Sequence, residues 1–115
     1  MRTLPRAADR GAALVVESDP RVRAMAAEIF KAASYRAIEA CNAAEAMTFL
    51  ESCNDIRTVF TDLEMPGQMA GVRLVHAIRQ RWPHIRVVVT SGRGFQADDA
   101  MPIGVSFAGR PLSKQ

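Results

Sequence analysis

Ala12-Ala13-Leu14-Val15-Val16-Glu17-Ser18-Asp19-Pro20 is the stretch on which the fold turns. Ala12–Val16 is a short apolar run rich in Val and Leu, the pattern of a strand buried on both faces. Glu17-Ser18-Asp19 ends that run with two carboxylates and a hydroxyl. Asp19 followed by Pro20 is a helix start, because a carboxylate can accept the free N–H groups of a first turn and Pro needs none at the first helical position. Val22, Met25, Ala26, Ile29, Phe30 and Ala33 then recur at helical spacing, which predicts an amphipathic helix over 20–33.

The same alternation continues outward. Tyr35–Cys41 reads as a weaker strand with Ile38 as its main apolar residue, and Asn42 caps a second helix carrying Ala46, Met47, Phe49, Leu50 and Cys53. Thr58–Asp62 is a third strand, β-branched and aromatic, and Met65-Pro66-Gly67 breaks the chain after it. Val72, Leu74, Val75 and Ile78 mark a third helix that Pro83 closes after Trp82. Ile85–Thr90 is the clearest strand, and Ser91-Gly92-Arg93-Gly94 is a loop. Residues 95–103 hold at most one or two helical turns, a weak fourth helix, and Val105–Ala108 is a fifth strand. Alternating strands and helices of these lengths imply an α/β fold, a doubly wound parallel sheet with helices on both faces. Residues 1–11 read as a flexible N-terminal segment and 12–115 as one domain.

Composition narrows the class. A chain of 115 residues, 49% apolar and 23% charged, is one ordinary globular domain, which excludes disorder and coiled coil. No apolar run approaches the ~20 residues that span a bilayer. Arg2, Arg6 and Arg10 precede no apolar segment of a secretory signal, so the expected compartment is the cytoplasm, with no membrane partner. The two cysteines, Cys41 and Cys53, make neither a disulfide framework nor a metal quartet and read as small core residues. The net charge of +3 is scattered, and no recognition helix or aromatic platform accompanies it, so direct nucleic-acid binding is not expected. His76 and His84 read as a helix-surface and a loop residue, and Arg79, Arg81 and Arg86 as a solvated face.

In a parallel sheet, ligands sit beyond the carboxyl ends of the strands. The residues at those ends are Glu17 and Ser18, then Asp62, then Thr90 and Ser91, then Arg110. Carboxylates with a hydroxyl and a cation suit a hard divalent ion together with a phosphoryl group. Gly92-Arg93-Gly94 is too short for a phosphate-cradling loop and lacks its Lys-Ser/Thr ending, and no Ser/His/Asp or Cys/His arrangement stands out.

Four pieces, in order and near the right spacing, now carry a resemblance: Leu14-Val15-Val16-Glu17-Ser18-Asp19-Pro20; Thr61-Asp62-Leu63-Glu64-Met65-Pro66-Gly67 with Gly71; Val89-Thr90-Ser91-Gly92; and Phe107 with Arg110-Pro111. Together they resemble the receiver domain of bacterial two-component response regulators over roughly residues 12–112. The resemblance implies the flavodoxin-like sheet of five strands in the order 2-1-3-4-5. It implies that Asp62 accepts a phosphoryl group from a histidine kinase or phosphotransfer protein. Glu17, Asp62 and the backbone carbonyl of Glu64 would then hold Mg²⁺. Thr90 would be the switch hydroxyl, Phe107 the switch aromatic and Arg110 the conserved-type cation of the site. Such a domain is a phosphoacceptor that assists its own phosphorylation and hydrolysis, not an enzyme acting on a separate substrate, and it signals to an output protein by contact.

Three positions depart from the family pattern. Ser18 stands where a second acid is expected, which predicts weakened Mg²⁺ binding, although one or two carboxylates suffice for such sites. Asp19 can in principle substitute, but its place before Pro20 makes it an N-cap first. Arg110 replaces lysine, and Ala70 replaces an aspartate. These departures motivate an alternative, a pseudo-receiver interaction module that does not depend on phosphorylation. A flavodoxin-like nucleotide-binding protein or enzyme is a third reading. It would need a phosphate loop after the first strand, where Glu17-Ser18-Asp19 repel phosphate unless a metal intervenes. Only Leu112-Ser113-Lys114-Gln115 follow Arg110-Pro111, so the usual fifth helix is expected to be absent. An uncovered apolar sheet face near strands 1, 3 and 5, and self-association through it as a homo-oligomer, are expected from that.

Overall fold

The computed structural model describes residues 10–63, 71–90 and 105–108. Five strands and three helices alternate there: β1 (Ala12–Val16), α1 (Pro20–Ala32), β2 (Arg36–Ala40), α2 (Ala43–Ser52), β3 (Ile56–Asp62), α3 (Gly71–Arg81), β4 (Arg86–Thr90) and β5 (Val105–Ala108). The strands form one sheet in the order β2-β1-β3-β4-β5, every neighbouring pair parallel. This is the order the resemblance implied. β1 and β3 are central and run buried almost throughout, as their unbroken apolar sequences require.

The pleat sends alternate residues to opposite faces. On one face Leu14, Val16, Val59, Val87 and Val89 pack with Ala43, Ala46 and Leu50 of α2 and Leu74, Val75 and Ile78 of α3. On the other, Val15 and Phe60 meet Ala26 and Ala27 of α1, with Phe30, Ala37 and Val88 at the margin. Small residues let α1 approach the sheet closely, and Phe30 fills the remaining space against Tyr35 (5.6 Å, edge-on) and Phe60 (6.0 Å). Helices on both faces of a parallel sheet make the fold doubly wound.

Both helix starts read from sequence are observed. Asp19 Oδ1 accepts the N–H groups of Arg21 (2.9 Å) and Val22 (3.5 Å), with Pro20 first in the helix. Asn42 Oδ1 accepts the Glu45 N–H at 2.8 Å while Glu45 Oε1 reaches back to the Cys41 N–H at 2.8 Å, a reciprocal cap.

Several expectations are corrected. β3 begins at Ile56, earlier than Thr58, because Ile56 is buried although Arg57 beside it points to solvent. Ile29 is 39% exposed. It lies two residues from buried Ala27, about 200° around the helix, which turns it off the packed face. Cys41 and Cys53 are both half-buried; Cys53 packs at the margin of the core, and Cys41 does not. Arg79 does not belong to a solvated face: it is half-buried, its Nη1 donating to the Pro83 and Ile85 carbonyls at 3.0 and 2.9 Å. Gly11, placed in the lead-in, is already held. Its carbonyl accepts the Arg36 N–H at 3.0 Å, its φ is +82°, and a Cβ there would lie 2.8 Å from the Asp55 carbonyl.

The weak fourth helix over 95–103 and the position of the fifth helix lie outside the described residues. The expected bare apolar patch does not appear among them. On the α1 side of the sheet Phe60 is buried, Val88 is half-buried, and Arg86 and Ser106 meet solvent. Among the described residues Ile29 is the exposed large hydrophobic residue.

Candidate functional site

The sheet order brings three of the expected residues to one edge. β1 and β3 are neighbours whose ladder closes at Val16 opposite Thr61, so Glu17 and Asp62 leave it side by side. β3 and β4 close at Asp62 opposite Thr90. The Leu63 N–H donates to the Thr90 carbonyl at 2.9 Å and fixes the two strand ends to one another.

Asp62, the last residue of β3, is 6% exposed. Its backbone is packed from outside by the start of α3. A Cβ on Gly71 would fall 2.5 Å from Leu63 Cα and 2.7 Å from the Asp62 carbonyl oxygen, so only a residue without a side chain lets the helix start there. Gly71 was part of the resemblance. The close approach that requires it is visible only in three dimensions.

Glu17 is 2% exposed and restrained at three atoms. Its N–H donates to the Ala40 carbonyl at 3.0 Å. Its own carbonyl accepts Arg23 Nη1 at 3.0 Å, and its carboxylate Oε2 accepts the Asp19 N–H at 3.0 Å. Ser18 is exposed, and Asp19 is engaged as the N-cap of α1. Thr90 is 1% exposed, and its buried Oγ1 has no hydrogen-bond partner among the described residues. A buried hydroxyl left unbonded costs about 1–3 kcal/mol, and an acceptor brought beside it would relieve that cost.

Two buried carboxylates leave adjacent strand ends here, an arrangement that a divalent cation can bridge. Glu17 and Asp62 are hard oxygen donors of the kind Mg²⁺ takes, and two of them lie within its usual protein share. No cluster of three or more His, Cys, Asp or Glu side chains suited to a metal occurs among the described residues. Glu64 and Arg110 lie outside the described residues; Phe107 is placed by its backbone in β5, opposite Val89, and its side chain lies outside them. A separate cavity of about 340 Å³, lined by Leu50, Cys53, Ile56, Trp82 and Ile85 among others, opens at the opposite pole and contains none of the site residues.

A family model for the response regulator receiver domain matches residues 13–106. Among solved structures, the response regulator TrrA from Thermotoga maritima, in complex with Mg²⁺ and BeF, superposes with a TM-score of 0.79 at 22% identity, over 90% of this chain and 89% of that one. TrrA in complex with the histidine kinase ThkA gives 0.76 at 23% identity, over 87% and 85%. The receiver domain of the hybrid histidine kinase CckA gives 0.70 at 29% identity, over 88% and 86%.

Proposed function

This chain belongs to the response regulator receiver domain family, and on that footing we propose that Asp62 accepts a phosphoryl group from the phosphohistidine of a histidine kinase or phosphotransfer protein. A carboxylate oxygen of Asp62 attacks phosphorus as the N–P bond breaks. The imidazole leaves with the bonding pair and takes up a proton. Glu17 and Asp62 would hold Mg²⁺, which when bound neutralises charge on the transferred group. The acyl phosphate adds close to two negative charges at this edge, and the Thr90 hydroxyl donates to one of its oxygens. That movement biases the surface around β4 and β5 toward a second state read by an output protein. The domain serves as a phosphoacceptor in the cytoplasm, not as an enzyme with a separate substrate. No described helix is long and apolar enough to cross a membrane.

The observation that carries this reading is the register of Asp62 with Thr90, which sets a buried carboxylate opposite a buried, unbonded hydroxyl. It is supported by TrrA, whose structures hold Mg²⁺ with BeF in one case and a histidine kinase in the other. The test is incubation with a small phosphodonor and Mg²⁺ followed by intact mass. One phosphate is expected on the wild type and none on Asp62→Ala; a mass gain that survives the substitution refutes the assignment. Exposed Ser18 favours a second reading, an interaction module independent of phosphate. Absence of any phosphate gain in the wild type decides for it.

A further inference from the structure

Arg23 lies one turn into α1 and joins three elements at the acidic edge. Its Nη1 donates to the Glu17 carbonyl at 3.0 Å and its Nε to Glu39 Oε1 on β2 at 3.1 Å, while its backbone N–H closes the first turn of α1 on the Asp19 carbonyl at 2.9 Å. We propose that Arg23 is the positioning residue for the Glu17 carboxylate, a role that rests on reading Glu17 as an acid of the phosphoacceptor site.

The argument begins with what the β1–α1 turn lacks. Ser18 is exposed and contributes no carboxylate, so the acid of this turn that faces the buried edge is Glu17. A glutamate has one more rotatable bond than an aspartate, so its carboxylate is harder to fix. Here the backbone on both sides of it is held. The N–H is tied to Ala40, the carbonyl to Arg23, and with the turn so fixed the Asp19 N–H points at Oε2. Removing the Arg23 contact frees the Glu17 carbonyl and the peptide plane that leads into Ser18 and Asp19.

The side chains of Arg23 and Glu39 are 21% and 41% exposed. Pairs this open contribute little to stability, so the value of the fork is geometric. Two nitrogens of one planar group address the carbonyl of Glu17, just past β1, and a carboxylate on β2 at the same time. A lysine is a point charge and cannot hold both. Groups that orient a metal ligand commonly control metal affinity without touching the metal.

Charge and position predict opposite signs. A guanidinium acting only as a nearby cation repels Mg²⁺, so its removal would tighten binding. A guanidinium that positions Glu17 weakens binding when removed. The variants are Arg23→Met and Arg23→Lys, measured two ways. Hydrogen exchange of the Asp19 amide reports the place of the Glu17 carboxylate without any metal, and calorimetric titration with Mg²⁺ reports the site. In both variants the Asp19 amide is expected to lose its protection while the Cys53 amide, bonded to the Phe49 carbonyl at the other pole, keeps it. The Mg²⁺ dissociation constant is expected to rise about tenfold or more.

An unchanged Asp19 amide in Arg23→Met overturns the proposal, as does tighter Mg²⁺ binding. So does loss of protection at Cys53 as well, which reports general destabilisation, and so does full rescue by lysine, which reduces the fork to its charge. If the wild type binds no Mg²⁺ yet its Asp19 amide depends on Arg23, the positioning role stands and the metal reading of Glu17 falls.

Discussion

Replacing Thr90 with valine should make this protein more stable and unable to respond to phosphate. Thr90 is 1% exposed, and its Oγ1 has no hydrogen-bond partner among the described residues. Valine keeps the branched shape and puts a methyl where the hydroxyl was. The folded state then no longer carries a desolvated, unbonded O–H, a relief of about 1–2 kcal/mol. For a domain of this size that is a rise in Tm of roughly 4–10 °C. The assay is urea unfolding, where the midpoint should rise at constant slope, since the surface exposed on unfolding is nearly the same. Thr90→Ser supplies the opposite control. It keeps the hydroxyl and deletes a buried methyl, and should lose about 1 kcal/mol. After treatment with a phosphodonor, Thr90→Val should still gain phosphate on Asp62, yet the change in stability expected of the phosphorylated wild type should be absent. A valine variant no more stable than the wild type would refute the reasoning, because it would mean the hydroxyl is satisfied in the native state.

Gly71→Ala is expected to destabilise by about 1–3 kcal/mol in thermal unfolding, although alanine is the better helix former, because the new Cβ meets Leu63 and Asp62 backbone that cannot yield; a rise in Tm would show that α3 can shift at no cost. Leu14→Ala, at a fully buried position of the central strand, should cost about 2–5 kcal/mol by urea unfolding. Acid should weaken the fold through two surface carboxyls: the Cys41 N–H holds Glu45 below its ordinary 4.5, and the Arg36 guanidinium, bonded at 2.6 and 3.2 Å, holds Asp55 below 3.8. Their folded values lie below their unfolded ones, so their contribution is complete above those unfolded values and lost as the pH falls through the lowered ones. The double variant Glu45→Gln, Asp55→Asn should show a shallower loss of urea midpoint over that interval, and an unchanged slope would count against both contacts.

The topology was readable because it rests on long-range regularities that local sequence must obey. Ala12–Val16 and Thr58–Asp62 are unbroken apolar or β-branched runs since both faces of a central strand are covered. Asp19-Pro20 and Asn42 start helices by bonds that span three residues, and both are seen. Strand ends collect functional groups in any parallel sheet, which is how Glu17, Asp62 and Thr90 were found. What escaped depends on chain reversals. Arg79 looked like a surface cation, and its bonds to Pro83 and Ile85 exist only because the α3–β4 turn folds back beneath it. Ile56 was hidden by Arg57, since alternation over two residues is too short to distinguish a strand from a turn. Arg23 carries no signal in a single sequence, because Glu39 is 16 residues away and comes to it only by pairing of β2 with β1.

The restraints at the site are unequal, and the inequality says which part can move. Glu17 is held at its N–H, its carbonyl and its carboxylate Oε2, which fixes the backbone on the β1 side of the edge. Thr90 holds back a hydrogen bond. A ligand shifts a conformational equilibrium only by what it binds differently in the two states. A charge-assisted bond from Thr90 to a phosphoryl oxygen would supply about 1.5–3 kcal/mol that the unphosphorylated state lacks, a shift of roughly 10- to 150-fold. Because the Leu63 N–H already ties β3 to the Thr90 carbonyl, motion of that residue cannot come from the strand end sliding. It must come from the Thr90 side chain.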